Sequence, residues 1–109
     1  MTSAFTVVCR YDDLQPERGA AALLGTSQVA LFRTFDGAVY AIGNRDPFTG
    51  ANVLSRGIVG NRGDRATLAS PLHKQVFDLS TGACLDDPEV AVPVYPARVR
   101  NGLVEVAAG

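Results

Sequence analysis

The chain has 109 residues, of which 47% are hydrophobic and 19% are charged, and its formal net charge is −1 at pH 7. This composition is that of one ordinary globular domain with a genuine core, and the near-neutral charge disfavours non-specific binding to nucleic acid. No apolar run reaches the roughly 20 residues of a membrane span and the first residues show no export signal, so we expect a cytoplasmic protein without membrane contact.

The first part of the chain predicts short β-strands separated by turns. Phe5–Arg10 is rich in β-branched and apolar residues and favours a strand, and residues 12–19 contain the proline and glycine of a loop. Residues 28–35 and 38–42 are predicted to form a hairpin. The Asp36-Gly37 pair between them favours a two-residue turn, in which both φ angles are positive.

The rest of the chain begins with a long excursion and ends in a hairpin. Residues 43–65 hold five of the eleven glycines, and we expect a long, mostly irregular loop there. Four later segments are predicted to be strands: residues 66–69, 75–79, 95–100 and 103–106. Asn101-Gly102 is the strongest hairpin signal in the chain. Because no long amphipathic helix pattern is present, the sequence predicts an all-β antiparallel sandwich or barrel.

Two short segments have the outline of a metal-binding motif whose ligands are missing. They are Asn44-Arg45-Asp46 and Ser70-Pro71-Leu72-His73. A Rieske [2Fe–2S] centre takes two Cys thiolates and two His imidazoles, from a Cys-x-His pair and a Cys-x-x-His pair. Asn and Ser are poor ligands for the soft iron of such a cluster. One possible ligand of four, His73, remains, so we expect the frame of this centre without its cluster.

Longer stretches around these segments resemble one group of proteins. They are residues 44–48, 53–60, 69–79, 81–85 and 95–99, and they include Asp46-Pro47-Phe48 and Leu54-Ser55-Arg56-Gly57. In this order they resemble the small subunit of cytoplasmic NAD(P)H-dependent nitrite reductase, a Rieske-like domain that has lost its cluster ligands. The resemblance implies one domain over residues 1–109, with an all-β Rieske-like fold and a vestigial cluster-loop region over residues 43–82.

The resemblance also implies an accessory subunit of a larger oxidoreductase of nitrate assimilation. In that family the large subunit is similar to sulfite reductases and carries FAD, an iron–sulfur cluster and sirohaem. It takes electrons from NAD(P)H and reduces nitrite to ammonium. The small subunit itself holds no cofactor, so Asn44, Asp46, Ser70 and His73 are vestigial ligand positions and none is catalytic. We expect no activity from the isolated chain.

Charge and residue type indicate which residues dock on that large subunit. Residues 44–75 contain five cations and two anions, a balance of +3, whereas residues 78–89 contain four anions and no cation. Opposite patches suit oriented docking on a protein partner, and arginine and aromatic side chains are enriched in interface cores. The docking candidates are Arg45, Phe48, Arg56, His73 and Lys74.

The residues leave several alternatives open. A Rieske-type ferredoxin with atypical ligands would transfer electrons, and a stand-alone module would reuse the fold to bind another protein. The four vestigial positions could also form a weak site for another metal, with oxygen and nitrogen ligands. We expect instead that their polar side chains hydrogen-bond each other and the loop backbones, in place of the cross-link that a cluster supplies. His73 is either a proton donor in a partner's site or a structural residue at the interface rim. Cys9 and Cys84 are expected to be free thiols, because a disulfide needs an oxidising compartment.

Overall fold

The computed structural model describes residues 5–72 and 74–107, which form ten β-strands in three antiparallel sheets. The strands are β1 (Phe5–Arg10), β2 (Gly19–Leu24), β3 (Ser27–Arg33), β4 (Val39–Gly43), β5 (Ile58–Arg62), β6 (Arg65–Ala69), β7 (Val76–Asp78), β8 (Val94–Tyr95), β9 (Ala97–Arg100) and β10 (Leu103–Ala107). Short 3₁₀ turns cover Tyr11–Asp13 and Leu54–Arg56. Among these residues no helix has the length and hydropathy of a membrane span. The predicted all-β class is confirmed.

The central sheet, in the order β2-β3-β4-β8, separates two hydrophobic cores. Alternate side chains of a strand point to opposite faces. Accordingly, Val29 and Leu31 of β3 pack against β10 of the β1-β10-β9 sheet, around Val104 and Val106. Their neighbours in β3 pack into the second core with Leu68 and Phe77 of the β5-β6-β7 sheet, and with Leu54 from the long loop. Burial on both faces explains why β3 reads as a continuous apolar run.

Two strands lie where the sequence did not predict them. β2 is rich in alanine and has no β-branched residue, so its local β-propensity is low. β5 lies inside residues 43–65, where a mostly irregular loop was predicted and no strand was named. β5 contains Gly60 and is stabilised by antiparallel pairing with β6. This tertiary pairing outweighs the glycine content on which the loop prediction depended.

The two predicted hairpin turns have different outcomes. Asn101 and Gly102 both have positive φ, 52° and 74°, and form the predicted two-residue turn between β9 and β10. In contrast, β3 ends at Arg33 and β4 begins at Val39, so both strands stop further from Asp36-Gly37 than predicted. Gly37 has a positive φ angle, but Asp36 does not. The Asp36 carboxylate accepts a hydrogen bond from the Thr34 hydroxyl, which stabilises this wider connection.

The predicted strand over residues 95–100 is two strands in two sheets. β8 pairs with β4 in the central sheet, β9 pairs with β10, and Pro96, which has no N–H group, lies between them. In the same outer sheet β1 pairs with the other side of β10. The register places Phe5 at the start of β1 opposite Ala107 at the end of β10.

Candidate functional site

Two loops meet at one end of the molecule and carry the residues predicted as vestigial ligands. Loop 1, residues 44–57, follows β4, and loop 2, residues 70–75, connects β6 to β7. Ile58 at the start of β5 pairs with Ala69 at the end of β6, which places the end of loop 1 beside the start of loop 2. Asn44, Asp46 and Ser70 are all buried there; 2% of Asn44, 0% of Asp46 and 1% of Ser70 is exposed.

A buried hydrogen bond joins the two loops directly. The Ser70 hydroxyl donates to Oδ2 of Asp46 at 2.5 Å. The other carboxylate oxygen of Asp46 accepts the backbone N–H of Phe48 at 2.8 Å, which fixes the turn of loop 1. The backbone N–H of Ser70 donates to the carbonyl of Gln75 at 2.9 Å, which closes loop 2. Asp46 and Ser70 therefore hold both loops in shape and hold them together.

Asn44 ties loop 1 to the central sheet. Its side-chain oxygen accepts the backbone N–H of Ser55 at 2.7 Å, and its amide nitrogen donates to the Gln28 side chain at 3.1 Å and to the Asn52 carbonyl at 3.3 Å. Its backbone carbonyl accepts the N–H of Leu54, whose side chain lies in the second core. This one buried amide thus anchors both ends of loop 1.

The donor set of these loops does not fit a [2Fe–2S] centre. Asn44, Asp46 and Ser70 offer neither thiolate nor imidazole, and their side-chain polar atoms are already engaged in the hydrogen bonds above. Within residues 5–72 and 74–107, no three His, Cys, Asp or Glu side chains converge as metal ligands. His73 lies outside the described residues, so the fourth vestigial position and its roles are not placed.

Exposed cations and apolar side chains surround this buried network; we call this surface the loop face. Of the docking candidates, Arg45, Phe48, Arg56 and Lys74 are exposed here, and His73 lies outside the described residues. The Phe48 ring packs on buried Phe77, with centroids 6.4 Å apart. Sequence reasoning missed Ile58 and Leu72, which flank Ser70 and are 71% and 48% exposed. No local sequence signal marks these two residues, because the exposure of their side chains depends on the tertiary fold.

The structure corrects the predicted charge distribution. Arg62 and Arg65 lie at the opposite end of the β5–β6 hairpin, and each pairs with an acid of the predicted anionic patch, Asp86 at 3.7 Å and Asp78 at 3.3 Å. The side chain of Asp78 is 3% exposed, so it does not contribute to an acidic surface. The cations of the loop face are therefore three, Arg45, Arg56 and Lys74, and none of them forms an ion pair with a described residue.

A groove beside Asn44 continues the loop face towards β8. Its volume is about 540 Å³, and it lies between the start of loop 1 and residues 91–95. Its lining includes the Arg45 side chain, the amides of Gln28 and Asn52, and the Tyr95 side chain, and no carboxylate among the described residues. A groove with one cation and several hydrogen-bond donors suits an acidic side chain of a partner.

Comparison with known proteins identifies the family. Residues 4–107 match the family model described as a Rieske-like [2Fe-2S] domain. Over 100 residues the chain is 46% identical to the nitrite reductase (NADH) small subunit of Escherichia coli (strain K12), covering 91% of this chain and 93% of that protein. The chain belongs to the Rieske-like family and, within it, to the nitrite reductase small subunits.

Two further relatives of this small-subunit family bear on the structure and its context. A crystal structure from Mycobacterium tuberculosis, named as an NADH-dependent nitrite reductase small subunit, superposes with a TM-score of 0.96 at 57% identity and covers 100% of this chain and 98% of that one. The nitrite reductase [NAD(P)H] large subunit of Klebsiella oxytoca is 43% identical over 99 residues, which are 91% of this chain and 10% of that protein. In that relative a domain of this kind is part of a much longer chain.

Proposed function

We propose that the chain is a small, cofactor-free accessory subunit of a cytoplasmic, assimilatory NAD(P)H nitrite reductase. Its partner would be the large subunit, which carries sirohaem, FAD and an iron–sulfur cluster and reduces nitrite to ammonium. The observation that carries the proposal is the buried Asp46–Ser70 hydrogen bond, which joins the two loops of a Rieske-like frame by side chains that are not cluster ligands. The identity of the enzyme and of the partner in this proposal comes from the names of the relatives.

The proposed absence of a cluster gives the first prediction. After anaerobic reconstitution with iron and sulfide, the purified chain is expected to stay colourless and to bind no iron, because the described loop residues offer no thiolate or imidazole. Absorption spectroscopy and iron analysis measure this, with a Rieske-type ferredoxin treated in parallel as the control. Visible absorption bands with bound iron would instead support the ferredoxin-like alternative.

The proposed docking surface is the loop face. It combines the cations Arg45, Arg56 and Lys74 with the apolar side chains of Phe48 and Leu72, the residue types and mixture found at specific interfaces. The hydrogen bonds of Asn44, Asp46 and Ser70 beneath it fix the loops before binding, which lowers the entropy lost on association. A fixed cationic surface, whose groove holds no carboxylate among the residues that the structure describes, favours an acidic surface on the large subunit.

The Klebsiella oxytoca relative supports a direct association of the two subunits. There, a domain 43% identical to this chain lies within the chain named as the large subunit. Fusion into one polypeptide keeps two parts at a high effective concentration. We infer that the separate chain meets the same partner by docking, and that the loop face replaces the covalent link.

Charge reversal on the loop face gives the second prediction and tests the proposed function. The double substitution Arg45→Glu/Arg56→Glu is expected to weaken the affinity for the large subunit by about 100-fold, because like charges at an interface cost several kcal/mol. Titration calorimetry with the purified large subunit measures the affinity, and nitrite reduction by the mixture should fall in parallel. Arg10→Glu/Arg100→Glu makes the same charge change on the outer sheet and is the matched control.

One result would contradict the proposal. If the loop-face variant binds as the wild type does, and if complex size and nitrite reduction are unchanged when the chain is omitted, the chain is not an accessory subunit of this enzyme.

A further inference from the structure

The end of the molecule opposite the loop face carries a second distinctive surface, formed by two hairpin ends. The β3–β4 connection (residues 34–38) and the β5–β6 turn (residues 63–64) lie at the far ends of the hairpins that lead into Asn44 and Ser70. Each of β4 and β6 has five residues, so the two surfaces lie about 15 Å apart along the strands. We call this second surface the tip face. A cavity of about 420 Å³ lies between its two hairpin ends.

The tip face presents an uncovered aromatic ring on a fixed support. Phe35 is 88% exposed. The connection that carries it is closed by the Thr34 N–H, which donates to the Ala38 carbonyl at 2.9 Å. The Tyr11 hydroxyl donates to the Gly37 carbonyl at 2.8 Å and ties the connection to the rest of the fold. An exposed aromatic side chain that is already held in place is the typical anchor of a protein interface.

The cavity beside Phe35 is acidic. Glu17, Asp36 and Asp64 line it, and none of the three forms an ion pair with a described residue. Arg65 also lines the cavity, but its guanidinium bonds to the carboxylate of Asp78. The hydrogen bond from the Thr34 hydroxyl, followed by that from the Ala38 N–H, lowers the pKa of Asp36, so this carboxylate keeps its charge in mild acid.

From these features we propose that the tip face is a second docking site for the nitrite reductase large subunit. The segment of the large subunit that binds there carries an arginine or lysine beside an apolar pocket, and Phe35 fills that pocket. This inference rests on the proposed function. The loop face is cationic and the tip face is acidic, so a partner that contacts both with opposite charges fixes the orientation of the small subunit. The negative charge of the tip face favours a cationic segment of the large subunit, and the exposed ring of Phe35 favours an apolar pocket next to that segment.

The size of the partner is consistent with contacts at both ends. In the Klebsiella oxytoca large subunit, 99 matched residues are 10% of the protein, which gives 99/0.10, or about 990 residues. A chain of that length can surround a domain whose extents are 36 × 29 × 22 Å. A second copy of the small subunit suits the tip face less well. Tip face against tip face would set like charges opposite each other, and joining the loop face of one copy to the tip face of the next is a head-to-tail contact, which forms a ring or an open filament of small subunits.

The third prediction tests this inference with the full chain and the large subunit. Phe35→Ser and, separately, Glu17→Gln/Asp64→Asn are each expected to weaken the affinity for the large subunit about 10-fold. The matched controls are Val99→Ser, another exposed apolar residue, and Asp12→Asn/Glu89→Gln, two exposed acids on other surfaces. Both tip-face variants and the acid control should keep the wild-type melting temperature, because their side chains are exposed. Val99 is 42% exposed, and its replacement serves as a control for binding only. Hydrogen exchange of the amides of residues 35–38 should slow in the complex.

The outcomes separate the inference from the proposed function. If Arg45→Glu/Arg56→Glu weakens binding but both tip-face variants bind as the wild type does, the second docking site is wrong and the proposed function stands. If the variants of both faces bind as the wild type does, and complex size and nitrite reduction are also unchanged when the chain is omitted, both proposals fail. If the isolated chain self-associates with rising concentration and Phe35→Ser abolishes this, the tip face binds a second copy and the inference is overturned.

Discussion

Replacing Ser70 by alanine is expected to destabilise the fold by about 3 kcal/mol, because the fully buried Asp46 carboxylate then loses its hydroxyl donor and no solvent can replace it. For a domain of this size the melting temperature should fall by about 12 °C or more. Chemical denaturation of wild type and variant measures the difference in the free energy of unfolding. Ser27→Ala changes an exposed hydroxyl and is the control, with an expected effect within about 0.5 kcal/mol.

A double-mutant cycle shows whether the two side chains act as one cross-link between the loops. Asp46→Ala should also be costly, since the N–H of Phe48 loses its acceptor together with the Ser70 hydroxyl. The destabilisation of the double variant should then be about 2 kcal/mol smaller than the sum of the two single destabilisations. The reason is that the Ser70 hydroxyl has no buried carboxylate to satisfy once Asp46 is removed. Strict additivity would show that the bond does not couple the loops.

Gly57→Ala is expected to cost about 3 kcal/mol and to separate the two loops. A Cβ atom at Gly57 would lie 2.3 Å from the Ala69 carbonyl oxygen and 2.8 Å from Cδ1 of Leu68. The φ angle of Gly57 is −75°, which any residue adopts, so the effect is steric and not conformational. Ala69 immediately precedes Ser70, and the displacement should therefore disturb the Asp46–Ser70 bond as well as the hairpin.

Gly60→Ala is the matched control in the same hairpin. A Cβ atom there would lie 3.5 Å from Oγ1 of Thr67, an ordinary contact, so the expected change is within about 1 kcal/mol. Urea unfolding of both variants gives the comparison of their free energies of unfolding. Equal stability of Gly57→Ala and Gly60→Ala would show that loop 1 is not packed closely against the end of β6.

Much of the fold follows from local sequence signals, and the exceptions have physical causes. The apolar run of β3 and the Asn101-Gly102 turn were predicted, because each carries its signal within a few residues. β2 and β5 were not predicted, because alanine and glycine have low strand propensity. These two strands are stabilised by pairing with β3 and β6, which the local sequence does not show. The Asp36-Gly37 connection is wider than predicted because the Asp36 carboxylate bonds across it.

The candidate site was predictable in outline but not in its individual bonds. The outline of the two loops predicted that their polar side chains hydrogen-bond each other and the loop backbones, and the Asp46–Ser70 bond confirms this for that pair. The sequence did not show which pair would form, because this depends on β5 and β6 aligning the loops, and Asn44 bonds instead within loop 1 and to β3. Nor did the sequence show the tip face, because Phe35 was assigned to a strand and its exposure follows from the wider turn.

The pairing of Phe5 with Ala107 has a consequence for how this domain can be built into other proteins. Since the first strand starts beside the point where the last strand ends, a longer polypeptide can enter and leave the domain at neighbouring points on its surface. Such a domain can be inserted into a surface loop of a host without pulling that loop open. The Klebsiella oxytoca protein carries a related domain in a chain about ten times as long, and this geometry is compatible with such a fusion. The same two points mark where a host chain can be joined while both proposed binding surfaces keep their shape.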